Sequence, residues 1–204
     1  MDAQTAGRQF STVITFDANT CLDHLLNFSV NANRTAKIVK RKRNNIVSDF
    51  FSRLMNKPTL KTGYFQHIRT EVDRVLPNAI YKLFQEKGLG PYIASKFVEK
   101  GQEKAITFFQ RIKLLDDAMT TNDVVSTKSF FDKHFSTIQS KFPKTEFPDE
   151  NDCKLLSGTS KQPEPKKYLA SGDGCFIGIP DLIAKEYGVQ IADTGNPLIC
   201  ELFS

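Results

Sequence analysis

Apolar side chains return every three or four residues through most of the stretch from 64 to 142, and this restricts the possible folds more than any other feature of the chain. Phe65, Ile68, Val72, Leu76, Ile80 and Leu83 form one such series. Ile93, Phe97, Gly101, Ala105, Phe108, Ile112, Leu115 and Met119 form a second, and Phe131, Phe135, Ile138 and Phe142 a third. A 3.6-residue period brings each series onto one face of a helix. The punctuation agrees: Gly88 suits a C-terminal cap, Pro91 a first helical turn, and Pro143 a stop. Pro77 lies inside the first series and predicts a kink or break near Leu76, because it lacks a backbone donor and crowds the carbonyl four residues back.

Residues 35–55 read as a fourth helix, basic in its first half and amphipathic in its second through Ile46, Val47, Phe50, Phe51 and Leu54. Asn44-Asn45 is the place where it could divide in two. Ahead of it, FSTVITF (10–16) suits a short strand or extended arm. Asp17 or Thr20 then caps a short helix bearing Cys21, Leu22, Leu25 and Leu26. The expected fold is mainly α: a four-to-five-helix bundle over 1–142, a Pro/Ser-rich linker over 143–171, and a small strand–helix–strand tail over 172–204, packed on or beside the bundle. Seventeen phenylalanines supply bulky apolar surface for such a core.

Charge is unevenly placed. The 204 residues carry 28 basic and 23 acidic side chains, a net of +5. Residues 1–142 hold 22 basic and 13 acidic, while 143–204 hold 6 and 10. Residues 34–113 alone hold 18 basic against 6 acidic. Arg34, Lys37, Lys40, Arg41, Lys42 and Arg43 put six cations into ten positions, with Arg53, Lys57 and Lys61 flanking them. On one helix such a cluster repels itself unless an anion neutralises it, and phosphates are the obvious polyanion. These nine residues are the candidate nucleic-acid contacts, and RNA is favoured over DNA. Lys40–Arg43 also fits a nuclear localisation signal, or a solvated helix face.

Motifs for other chemistry are sparse. Cys21, Cys153, Cys175 and Cys200 are widely dispersed, which speaks against a disulfide scaffold or a zinc site and for a reducing compartment. No metal or cofactor is expected. Neither Asp116-Asp117 nor Asp149-Glu150-Asn151-Asp152 has calcium-loop spacing. Ser171-Gly172-Asp173-Gly174-Cys175 resembles the Asp-Gly-x-Cys box of ovarian-tumour-type deubiquitinases with one residue missing. A Cys175 nucleophile would need a histidine base, yet His24, His67 and His134 all precede it, so a turn before a strand is the preferred reading. The string IVSDFFSRLMNKPTL (46–60), with helices and Asp116-Asp117-Ala118 after it, resembles coat proteins of rod-shaped plant RNA viruses. That resemblance implies a four-helix bundle and carries no site residue over.

No apolar run approaches the roughly 20 residues of a membrane helix, and the N-terminus lacks a secretory pattern, so an intracellular protein of cytoplasm or nucleus is expected. The functional expectation is a non-catalytic helical protein that contacts RNA or DNA phosphates and self-assembles in the manner of a coat protein. The alternative is a helical protein-interaction module regulated by its acidic tail.

Overall fold

A computed structural model describes residues 10–32, 35–41, 44–57 and 59–203. Five strands, β1 (Thr12–Phe16), β4 (Leu60–Tyr64), β5 (Lys113–Leu114), β6 (Lys166–Ser171) and β7 (Val189–Asp193), form one parallel sheet in the order β5-β4-β1-β6-β7. A separate antiparallel hairpin pairs β2 (Asn27–Ala32) with β3 (Thr35–Lys40). The helices are α1 (Ala18–Leu25), α2 (Asn44–Met55), α3 (Gln66–Glu86), α4 (Pro91–Arg111), α5 (Thr121–Lys141), α6 (Glu150–Ser160), α7 (Gly174–Ile177) and α8 (Pro180–Tyr187), and a 3-10 helix spans Pro197–Phe203. Among the described residues no helix is long and apolar enough to cross a membrane.

The expected bundle is therefore corrected to an α/β arrangement. The helical periodicities of 64–142 were legible in part: α3, α4 and α5 lie within the three series, but α4 ends at Arg111 and Leu115 and Met119 fall beyond it. The break expected near Leu76 is corrected, since Pro77 sits inside one continuous α3. Three strands were obscured. Thr62-Gly63 looks like a turn, yet it belongs to β4, where Gly63 lets the Leu115 side chain approach; an added Cβ would stand 2.5 Å from Leu115 Cγ. Lys166-Lys167-Tyr168 looks like linker, yet it opens β6, whose last three residues are buried beside β1. Residues 35–40 look helical by their charges, yet they form β3, and the helix begins only at Asn44. The supposed linker of 143–171 contains α6 and β6, and the expected tail contributes β7 to the same sheet as β1.

The core follows from this layering. Val13, Ile14 and Phe16 of β1 are fully buried, as the central strand of a parallel sheet covered on both faces must be. Phe50 and Phe51 of α2 close on Phe16, with ring centroids 6.4 and 4.5 Å away. Across the sheet, α6 is tied to β1 by a 2.7 Å hydrogen bond between the Thr15 and Thr159 hydroxyls.

Candidate active site at the carboxyl edge of the sheet

Strand order decides where a ligand can enter. From β1 the chain moves outward through β4 to β5, then returns to β6 on the other side of β1 and continues to β7. The connections leaving β1 and β6 thus run in opposite directions. In an open parallel sheet this reversal leaves a crevice outside the carboxyl ends of the two strands, the usual place for a ligand. Asp17 directly follows β1, and Ser171 and Asp173 end β6. The register pairs Phe16 with Ala170, so Asp17 and Ser171 are neighbours across the two strand ends.

Two further elements bring carboxylates to the same crevice. α3 starts at the carboxyl end of β4 and carries Glu71 in its second turn. α6 carries Asp149 and Asp152 at its amino end, where they form a reciprocal capping box with bonds of 2.9 and 3.0 Å. Asn151 Nδ2 donates to Glu71 Oε2 at 3.0 Å and joins α3 to α6. A pocket of about 200 Å³ is lined by Asp17, Asn19, Glu71, Asp149, Asp152 and Asp173, among others.

The crevice side chains are held rather than loose. Asp17 accepts hydrogen bonds from the Thr20 backbone N–H at 2.5 Å and from the Ser171 hydroxyl. The Ser171 oxygen in turn accepts from the Asp173 N–H at 3.0 Å, and Asp173 Oδ1 accepts from the Cys175 N–H at 3.0 Å. Burial pushes the Asp17 carboxyl up to about 6 against the pull of these donors, and the charge of Asp173 adds to the rise. Asp152 is pushed up to about 7, first by burial and then by the charges of Asp149, Asp173 and Asp17. Burial, with the Asp149 charge, also raises Glu71. Four elements therefore place mutually interacting carboxylates in one crevice. Among the described residues, no three His, Cys, Asp or Glu side chains are placed so that they could hold one metal ion together.

The nine cations singled out in the sequence are distributed differently. Arg34, Lys42 and Arg43 lie outside the described residues, and Lys37 falls in β3. Lys40 donates to Asn45 Oδ1 at 2.8 Å, and Arg41 pairs with Asp23 at 3.0 Å. Lys61 forms a buried ion pair with Glu164 at 2.8 Å. Arg53 is exposed on α2, and Lys57 follows that helix half-buried. A single helical face carrying the cluster is not what the chain builds, because β3 ends at Lys40. Lys40, Arg41, Arg53, Lys57 and Lys61, whose side chains are described, do not line the acidic crevice. Cys175 is 1% exposed, and its thiol is pushed well up by burial and by Asp152, Asp173 and Asp17, the reverse of an activated nucleophile.

The crevice carboxylates escaped the sequence reading although two carried a signal. Asp17 follows TVITF and Asp173 follows YLASG, each an acid just past an apolar strand. Asp152 was visible only as part of the acidic run 149–152, and Glu71 carried no signal, since their convergence depends on how α3 and α6 pack. No known protein family, curated protein or solved structure matches the chain.

Proposed function

We propose that this protein is a divalent-cation-dependent phosphodiesterase that cleaves nucleic acid, its cation held by one or two of the crevice carboxylates Asp17, Glu71, Asp152 and Asp173. The observation that carries the reading is the meeting of these four side chains at the strand-order reversal, the place where a parallel sheet binds ligands. The donors are hard oxygens, which suit magnesium or manganese. Because no three of them could hold one ion together, such an ion would take one or two carboxylates, keep several waters and complete its shell with phosphate oxygens, as magnesium commonly does. Burial raises both Asp17 and Asp152, with neighbouring carboxylate charges adding to it, and a bound cation would favour their charged forms. When bound, the ion supplies phosphate charge neutralisation and a more acidic water.

The chain's own groups account for the rest. Ser171 and the Thr20 N–H fix the orientation of Asp17, while the Cys175 N–H fixes Asp173. The first amides of α1 have no intrahelical acceptor, so Ala18 and Asn19 can donate to a phosphate oxygen beside the carboxylates. Asn19 is exposed at the crevice and offers a further donor. Hydrolysis adds water at phosphorus, breaks the bond to one sugar oxygen, and transfers a proton to that leaving oxygen. The excess of 18 basic over 6 acidic residues in 34–113 supports a polyanionic substrate and retains RNA or DNA as the partner.

The test is cleavage of end-labelled single-stranded RNA and DNA with magnesium, with manganese, or with a chelator. The expected result is metal-dependent cleavage that Asp17→Asn and Asp152→Asn each abolish. No cleavage of either polymer with either metal, or undiminished cleavage by both variants, would overturn the proposal.

A further inference from the structure

A second and larger cavity, of about 830 Å³, opens at the other end of α1. It lies between His24 at the end of α1, the start of β2, the inner face of α2, and α4 from Phe97 to Arg111. α1 has eight residues, so this cavity lies about 12 Å along the helix from Asp17. The two pockets share no lining residue.

The walls combine aromatic rings with unneutralised positive charge. The His24 imidazole sits between Phe51 and Phe108, with ring centroids 4.7 and 5.1 Å away. Its Nδ1 is buried without a hydrogen-bond partner. Burial, together with Lys104 and Arg111, lowers its pKa to about 4, so the ring is neutral at physiological pH. Lys104 is half-buried against the Phe28 ring at 4.8 Å, and its Nζ donates to the Leu25 and Asn27 carbonyls at 2.8 and 2.7 Å. Lys100 lies over the Phe97 ring at 4.9 Å, and Arg111 stands at the end of α4. Glu103 is the one acid in the lining, so the charged wall is +2. Among the described residues none of the three cations has a carboxylate within ion-pair distance.

A half-buried ammonium without a counter-charge costs stability, and an anion at this wall would offset that cost. Lys100 and Lys104, one turn apart on α4, provide point charges for phosphate oxygens, and the Arg111 guanidinium, about 10 Å further along the helix, provides a plane for an aromatic base. The half-buried His24 ring, backed by the buried Phe108, provides an aromatic edge beside it. The volume falls within the usual range of small-molecule sites. We infer that this cavity is a binding site for a nucleoside monophosphate, with the phosphate on Lys100 and Lys104 and the base beside the Arg111 guanidinium and the His24 ring. The site stands apart from the acidic crevice and does not depend on that crevice's chemistry.

Calorimetric titration with 5′-AMP in the presence of a chelator tests this directly, because no metal-dependent step can then contribute. Saturable one-to-one binding is expected, and Arg111→Gln and Lys100→Gln should each weaken it at least ~10-fold, the scale of a lost stacking contact with the base or a lost charge-assisted hydrogen bond to phosphate. Both side chains are exposed, so the variants should melt with the wild-type protein. Asp17→Asn should leave AMP affinity unchanged, which separates this site from the crevice. Absence of saturation at millimolar AMP would overturn the inference, as would affinity unmoved by both cavity variants. Inorganic phosphate binding as tightly as AMP would overturn it too, since the aromatic wall would then contribute nothing. A short oligonucleotide that binds this wall where AMP does not would overturn the mononucleotide assignment.

Discussion

At the amino end of α1, Asp17 is gripped by Thr20 and Ser171 among other carboxylates, while at its carboxyl end His24 lies between two phenylalanines beside Lys104 and Arg111. The first region concentrates negative charge and restrains it with hydrogen bonds. The second concentrates positive charge and rests it on aromatic faces and carbonyl oxygens. Neither region neutralises itself with opposite charges of its own. The contrast shows why the overall charge of a chain is a poor guide to its sites. The protein is basic in sum, yet the crevice at its strand ends is acidic, and the cations nearest one another in sequence are partly engaged with the protein itself.

Two substitutions break the comparison most strongly. Phe51 is fully buried and touches Phe16, His24 and Phe108 at once. Phe51→Ala should cost ~3–5 kcal/mol in urea denaturation and open the wall of the larger cavity. Asp17→Asn keeps a side-chain oxygen for the Thr20 N–H but removes the charge. It should lower metal-dependent cleavage by ~100-fold or more, measured as single-turnover rate, with the fold retained.

Titration separates the two ends by the sign of their slopes. Asp17 and Asp152 rise from 3.8 to about 6 and about 7, so the folded state binds their protons more tightly than the unfolded chain does. Their contribution is complete below about pH 4 and disappears as pH rises through 6 and 7. His24 falls from 6.5 to about 4, so its contribution is present above pH 6.5 and is lost as pH falls through 4. Thermal melting from pH 4 to 8 should therefore show opposing slopes. Asp17→Asn and Asp152→Asn should flatten the loss toward pH 8, and magnesium should recover it in the wild-type protein alone. His24→Asn should flatten the loss toward pH 4. The effects should be on the order of 1–3 kcal/mol per group.

The smallest expected effect concerns the outlying cations. Arg53→Gln and Lys57→Gln should each weaken RNA binding by only about two- to threefold, uniformly across sequences, and reduce its salt dependence. A sequence-specific loss in a panel of labelled oligonucleotides would contradict their role as phosphate contacts.

Much of the secondary structure was readable from periodicity because burial of one helix face constrains every third or fourth residue in α3, α4 and α5. The caps were readable for a similar local reason: Asp17 accepts from the Thr20 N–H, and Pro91 opens α4. Short parallel strands carry no such periodicity. β4 reads LKTGY and β6 reads KKYLAS, with lysines at exposed or half-buried starts and small residues at buried ends. Their partner β1 is separated from β6 by about 150 positions in sequence. Pairing over that distance is decided by the whole packed structure, not by local preference.

By itself, then, the sequence determined three long amphipathic helices and an excess of cations, because local propensity and one-sided burial act over a few residues, but not where each helix ends. Tertiary structure alone decided the parallel sheet, the reversal of strand order between β1 and β6, and the meeting of Asp17, Glu71, Asp152 and Asp173 from four elements. The physical reason is that hydrogen bonds between distant strands set which chain ends lie side by side, and the carboxylates become one crevice only after those bonds have formed.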